Sequence, residues 1–135
     1  MLLDYLPYMM MGGSAVLTHY PLYFILFVLI NTGLNIILKH QIRQGRPKTC
    51  PVYLKESYGM PSGHSQTASF SAAFVWQEVS LNQKMILGML TLVTMAQRVY
   101  TDCHTVAQVL AGFLVGAVLG VSGYRISRLL PRLSL

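Results

Sequence analysis

The sequence predicts an all-α fold: a polytopic membrane helix bundle of about four transmembrane helices, with an N-terminal helix that is interfacial or partly inserted. Three observations predict it. Of 135 residues, 53% are hydrophobic and only 10% charged, whereas soluble globular chains carry about a quarter charged residues. Residues 15–38, AVLTHYPLYFILFVLINTGLNIIL, contain no charge at all, and a helix crossing the hydrocarbon core needs about 20 apolar residues. The remaining apolar runs are separated by short polar segments that hold nearly all the cations and the histidines. The length fits a single integral-membrane domain over residues 1–135.

Each element follows from its own stretch. The N-terminal MLLDYLPYMMMGGSAV has Asp4 where a cleavable leader would have basic residues, so it reads as an interfacial helix. The charge-free run at 15–38 is the clearest span, with Pro21 in its first turns, where a missing N–H costs least. Residues 39–63 are polar, basic and rich in Pro and Gly, hence a loop. A second span runs from Ser62 to about Ser80, its Ser and Ala content suited to close helix packing in lipid. SLNQK is expected as a tight turn, followed by a third span from Lys84 to Tyr100, a second turn at TDC, and a fourth span from His104 to Tyr124.

If each span crosses once, four segment ends share one membrane face: the end of the first, the start of the second, the end of the third and the start of the fourth. Those ends carry Lys39 and Arg46, then Ser62 and His64, then Arg98, then His104. Three cations and two histidines at one water-facing end suit a phosphate, because Arg and Lys neutralise the oxygens of a phosphoryl group in its transition state. Ser62 can cap the second span and leave N–H groups near Gly63 and His64 for an anion, which can approach closely where no Cβ intervenes. His104 sits at the positive end of a helix dipole, which disfavours imidazolium and favours the neutral, nucleophilic ring. The net charge of +6 also allows a nucleic-acid partner, but the cations flank apolar segments and form no soluble basic face. Cys50 and Cys103 match no zinc spacing, and both are expected on the active face as free thiols.

The spacing of these residues resembles the three motifs of the type 2 phosphatidic acid phosphatase (PAP2) superfamily: K-x6-R-P, P-S-G-H and S-R-x5-H-x3-D. The first is complete at Lys39, Arg46 and Pro47, and the second at Pro61, Ser62, Gly63 and His64. The third is matched at Arg98 and His104, with Gln97 in place of serine and Gln108 in place of aspartate. The resemblance implies a membrane-embedded phosphatase acting on a lipid phosphate or an isoprenoid diphosphate without a metal or other cofactor. His104 would be the nucleophile that forms a phosphohistidine, and His64 the acid that protonates the leaving oxygen. Lys39, Arg46, Arg98, Ser62 and the Gly63 N–H would hold the phosphate. YGMPSGHSQ and RVYTDCHTVAQVLAG resemble the dolichyl-diphosphatase branch, where a His-Thr-x-x-Gln-Val pattern also occurs, although this chain is shorter at its N-terminus.

Gln108 follows His104 by four residues and shares its helix face. Its amide oxygen can fix the imidazole tautomer, but offers little of an aspartate's stabilisation of positive charge. Two other readings stand beside the enzyme: a silent PAP2-like protein that binds lipid headgroups or partners, and a vanadate-dependent haloperoxidase sharing the phosphate pocket. Gly112, Gly116 and Gly120 form either a packing seam within the monomer or the seam of a homodimer. Lys39, Arg43, Arg46, Lys48, Lys55 and Arg98 lie on the active face; Lys84, Arg125, Arg128 and Arg132 lie on the other. Once the three site cations are set aside, the basic C-terminal tail favours a cytoplasmic C-terminus and a lumenal or periplasmic active site.

Overall fold

In the computed structural model, which describes residues 2–50 and 57–131, a 3-10 turn (Leu2–Tyr5) leads into five α-helices. These are α1 (Leu6–Leu17), α2 (Pro21–Ile42), α3 (Gly63–Val75), α4 (Leu81–Tyr100) and α5 (Val106–Leu129). No strand occurs among the described residues, so the architecture is the all-helical membrane bundle that the composition predicts. Lys55 and Arg132, counted above in the charge balance, lie outside the described residues.

The charge-free run at 15–38 is divided between two helices, against the expectation of one. A residue preceding proline is driven out of the α region, and Tyr20, ahead of Pro21, is non-helical at φ −128°, ψ 54°. Thr18 closes α1, and its hydroxyl accepts the Tyr20 N–H at 3.1 Å. Pro21 then opens α2 at a position where its missing N–H costs nothing. Helix α2, with 22 residues, and α5, with 24, are each long and apolar enough to cross a bilayer.

Helix α3 is the centre of the bundle. It stops at Val75, five residues before the expected end, and nine of its 13 residues are buried. Its Phe70 and Phe74 join Phe24 and Phe27 of α2 and Tyr124 of α5 in one aromatic core, with Phe24 and Phe74 edge-to-face at 5.1 Å. The glycine stripe of α5 faces this helix. A Cβ on Gly112 would lie 2.4 Å from the Ser62 carbonyl oxygen, and one on Gly116 only 2.1 Å from that of Gln66. The stripe is therefore the contact between α5 and α3 within the monomer, and is not available as the dimer seam that the spacing also allowed.

The expected turn at SLNQK is instead the start of α4. Ser80 accepts the Gln83 backbone N–H while the Gln83 side chain reaches back to the Ser80 N–H at 2.8 Å, a reciprocal cap. The turn lies just before, where the Glu78 N–H bonds the Val75 carbonyl at 2.8 Å. Thr105 and Gln108 make the same cap on α5, so the span expected from His104 begins at Val106 and His104 stands just outside it.

The end of α2, the start of α3, the end of α4 and the start of α5 meet at one end of the bundle, as the counting of spans predicts. Lys39 Nζ donates to the Tyr58 carbonyl at 2.5 Å. The Ser62 N–H donates to the Gln108 carbonyl at 2.9 Å, and the His104 N–H to the Arg98 carbonyl at 3.1 Å. At the other end His19 Nδ1 meets Glu78 at 3.1 Å, and the Tyr23 hydroxyl donates to the Pro131 carbonyl at 2.8 Å.

Candidate active site

The site begins with a tight connection. Residues 101–105 link α4 to α5, with Asp102 in the left-handed region at φ 54°, where Asp is among the few non-glycine residues tolerated. This turn points Asp102 to solvent and holds the His104 ring inside, 3% exposed. His104 Nδ1 lies 3.2 Å from Gln108 Oε1, and His104 Nε2 lies 2.9 Å from an Arg46 guanidinium nitrogen. A guanidinium can only donate, so Nε2 is the unprotonated nitrogen and Nδ1–H donates to the amide oxygen. Burial, then the charges of Arg46 and Lys39, push the His104 pKa down to about 3, against the opposing hydrogen bond from Gln108. At neutral pH the ring is a neutral base with its lone pair on Nε2.

Gln108 does more than face the ring. Its Nε2 donates to the Gly45 carbonyl at 2.8 Å and to Gln44 Oε1 at 3.1 Å. The amide thus ties the His104 ring to the loop after α2, a task that needs a donor and that no aspartate could perform. Gly59 is what lets it fit: a Cβ there would stand 2.6 Å from the Gln108 amide. Arg46 is itself anchored, with Nε on Ser57 Oγ at 3.0 Å and a terminal nitrogen on the Cys103 carbonyl at 3.0 Å.

The second histidine has a different setting. His64 is the second residue of α3, and its ring packs edge-on against Tyr8 of α1 at 5.7 Å. It also lies beside the Asp4 backbone, and both Arg98 and Arg46 are within electrostatic reach. Arg98 is buried, yet it does not reach His104 with its side chain. Its NH2 bonds the Asp4 carboxylate, and its Nε donates to Gln97 Oε1 at 2.6 Å. Gln97 in turn donates to Asp4 at 3.0 Å. Burial raises the Asp4 pKa, but the bond from Gln97 and the charge and bond of Arg98 outweigh it and hold the carboxyl below its ordinary value.

The structure therefore brings Arg46, His104 and Gln108 into one bonded cluster, with Lys39 within electrostatic reach of Arg46 and His104. It places His64 and Arg98 beside it under the N-terminal segment, with Arg46 in reach of both histidines. Ser62 is the N-terminal boundary residue of α3, as expected, but its hydroxyl makes no capping bond; it accepts instead from Ser65 Oγ at 3.3 Å. Asn35 approaches Gly63 closely, and a Cβ there would be 3.3 Å from its Oδ1. Cys50 and Cys103 are both buried and are not joined in a disulfide.

Several residues of the site carry no motif. Asn35 Nδ2 donates to the Pro61 carbonyl at 3.3 Å and to Gln66 Oε1 at 2.7 Å, while Gln66 Nε2 donates to Asn31 Oδ1 at 2.9 Å. This polar ladder fixes the PSGH turn to α2. A hint was present: three amides in otherwise apolar runs must find partners once buried.

One buried cation, two half-buried ones, two histidines and several helix ends thus gather at one end of a membrane bundle, an arrangement that suits an anionic group. The pattern of the PAP2 superfamily matches residues 20–131, and the chain belongs to that family. It is 33% identical over 118 residues to lipid phosphate phosphatase gamma of Arabidopsis thaliana, covering 76% of this chain and 51% of that one. It is 32% identical over 108 residues to the dolichyldiphosphatase of Saccharomyces cerevisiae, covering 68% and 45%. The crystal structure of a transmembrane PAP2-type phosphatidylglycerolphosphate phosphatase from Bacillus subtilis superposes with a TM-score of 0.71 at 26% identity, over 98% of this chain and 72% of that one. The chain spans about half the length of the curated relatives it matches.

Proposed function

We propose that this protein is a membrane lipid phosphatase that transfers the phosphoryl group of a lipid phosphate or polyprenyl diphosphate to His104 and then to water. The single observation that carries this reading is the state of His104: neutral, with Nδ1–H held by Gln108 and the Nε2 lone pair aimed among Arg46 and Lys39. Nucleophile, tautomer-fixing partner and charge clamp are the three parts a phosphohistidine mechanism needs.

Arg46 donates to the Nε2 lone pair. Phosphorus and a guanidinium cannot share one lone pair, so substrate entry moves Arg46 from Nε2 onto the phosphoryl oxygens. Lys39 and Arg98 complete the clamp, with Ser62 and the Gly63 N–H at the start of α3. His64 donates the proton to the leaving oxygen. Water then attacks the phosphohistidine with His64 as base, and phosphate leaves. A diphosphate substrate suits a site whose His104 lacks a carboxylate partner, since its leaving group is a phosphate rather than an alkoxide. The relatives that act on dolichyl diphosphate also favour this. The basic tail favours an active site on the lumenal or periplasmic side.

Phosphate release by purified protein, with chelator present, from a polyprenyl diphosphate, a polyprenyl monophosphate and phosphatidate tests both levels of the proposal. Release should be fastest from the diphosphate and should fall by at least roughly a thousandfold in His104→Ala, with no acid-labile phosphoenzyme. A strong preference for phosphatidate overturns the diphosphate assignment. Background release from all three, with headgroup binding intact, would instead favour the silent lipid-binding reading.

A further inference from the structure

Away from the phosphate site, α4 leans on α3 and diverges from α5. The wedge between the three helices is a groove of about 620 Å³, lined by Ala72, Trp76, Thr91, Phe113, Ala117 and Arg128 among others. That volume lies within the range of about 300–1,000 Å³ typical of small-molecule sites. The hydroxyls in its wall already have partners in their own helices: Thr91 donates to the Leu87 carbonyl at 2.8 Å and Ser69 to the Gln66 carbonyl at 3.2 Å. Gln77 and the arginines aside, the wall thus presents mostly small and apolar groups, which suits a hydrocarbon chain.

One end of the groove is different. Arg125 and Arg128 line it there and are exposed. Neither is in an ion pair among the described residues, and the Tyr124 hydroxyl lies beside Arg128. Glu78, a carboxylate at this end, is engaged by His19. At a rise of about 1.5 Å per residue, the two arginines stand about 25–30 Å along α5 from Gln108, close to the hydrocarbon thickness of a bilayer, about 30 Å. They belong to the leaflet opposite the phosphate site, and the groove runs from them toward the bilayer centre.

We propose that this groove binds an anionic glycerophospholipid of the leaflet opposite the active site, its acyl chain between α3, α4 and α5 and its phosphate on Arg125 and Arg128. Charge complementarity at the mouth selects the anionic headgroup, and the apolar wedge holds the chain. The site is separate from the catalytic one and needs no turnover.

The test is native mass spectrometry of the full chain, released from bilayers of equal phosphatidylglycerol and phosphatidylcholine. Retained phosphatidylglycerol should exceed phosphatidylcholine by about thirtyfold, from two cations near the surface. Arg125→Gln with Arg128→Gln should abolish that preference, and Ala117→Phe should reduce retained lipid by filling the wedge. The preference must persist in Lys39→Gln with Arg46→Gln, which strips the catalytic end of its clamp. Equal retention of the two lipids overturns the proposal. So does a preference that survives the arginine pair, one that vanishes with the catalytic pair, or a second copy of the chain in the groove.

Discussion

The two histidines of the site are held in opposite ways. His104 is bonded on both ring nitrogens by residues that are themselves bonded to backbone: Arg46 to Cys103 and Ser57, Gln108 to Gly45. His64 rests on a helix start and is covered by Tyr8 and the Asp4 backbone, from a segment far away in sequence. Its neighbouring cation, Arg98, is already paired with Asp4. The His104 half is a preorganised clamp. The His64 half already holds an anion of its own. If the difference is functional, equivalent substitutions in the two halves should have unequal effects.

The largest contrast is between the arginines. Arg46→Gln removes the charge that touches the His104 ring and, under the proposed mechanism, should lower kcat/KM by roughly a hundredfold to a thousandfold, as for other lost transition-state donors. Arg98→Gln removes a cation already neutralised by Asp4 and should cost only about tenfold. Steady-state phosphate release decides it. Equal losses would mean that both arginines grip the phosphoryl group alike.

Gln108 sharpens the clamp half. Gln108→Asp offers the ring a carboxylate but removes the donor that the exposed Gly45 carbonyl and Gln44 accept, where water can replace it. The expected cost is about 0.5–1.5 kcal/mol of stability, that of one lost hydrogen bond. Gln108→Glu keeps the length, loses the same donor, and should be destabilised similarly. Thermal unfolding in detergent measures both, and an Asp variant as stable as the native chain would show that the loop tether contributes nothing.

The depressed pKa of His104 gives a pH signature for the same half. The folded state holds this ring neutral down to about pH 3, while the unfolded chain protonates near pH 6.5. Between those values the unfolded state binds more protons, so stability falls as pH drops through the window and is unaffected above it. His104→Gln removes the titrating group. Its melting temperature should fall less between pH 7 and pH 4 than that of the native chain, and parallel curves would show that His104 is not buried neutral.

How legible these halves were differs for a physical reason. Lys39, Arg46, His64, Arg98 and His104 stand at segment ends, and counting crossings is enough to gather them on one face. The boundary at Tyr20–Pro21 and the caps at Ser80 and Thr105 obey local rules, yet a hydropathy run hides them because hydropathy does not register a broken backbone hydrogen bond. What the sequence could not display is which long side chain reaches which partner. Arg98 and His104 are backbone neighbours across a tight turn, yet their side chains diverge, one to Asp4 and the other to Gln108. Asp4 looked only like a departure from a signal peptide, because its partners Gln97 and Arg98 lie at the far end of another helix. The amide donors of Gln108 likewise matter only once Gly59 and the Gly45 carbonyl are placed around them.

Asp4 provides the smallest and most discriminating change. Its side chain is 41% exposed and its partner Arg98 is buried; partly exposed pairs of this kind are worth about 0–1 kcal/mol, or up to about fivefold in binding. If the carboxylate occupies the place on Arg98 that a phosphoryl oxygen takes, Asp4→Asn frees the guanidinium and KM should fall by up to about fivefold with kcat unchanged. If the carboxylate instead holds Arg98 in position for the substrate, the same variant raises KM or lowers kcat. Gln97 separates the two outcomes further: it grips both Asp4 and Arg98, so Gln97→Ala should reproduce the lower KM only where Asp4 competes with the substrate. A rise in KM in both variants would make the N-terminal segment a support of the His64 half, and the contrast between the two halves would then be one of architecture rather than of occupancy.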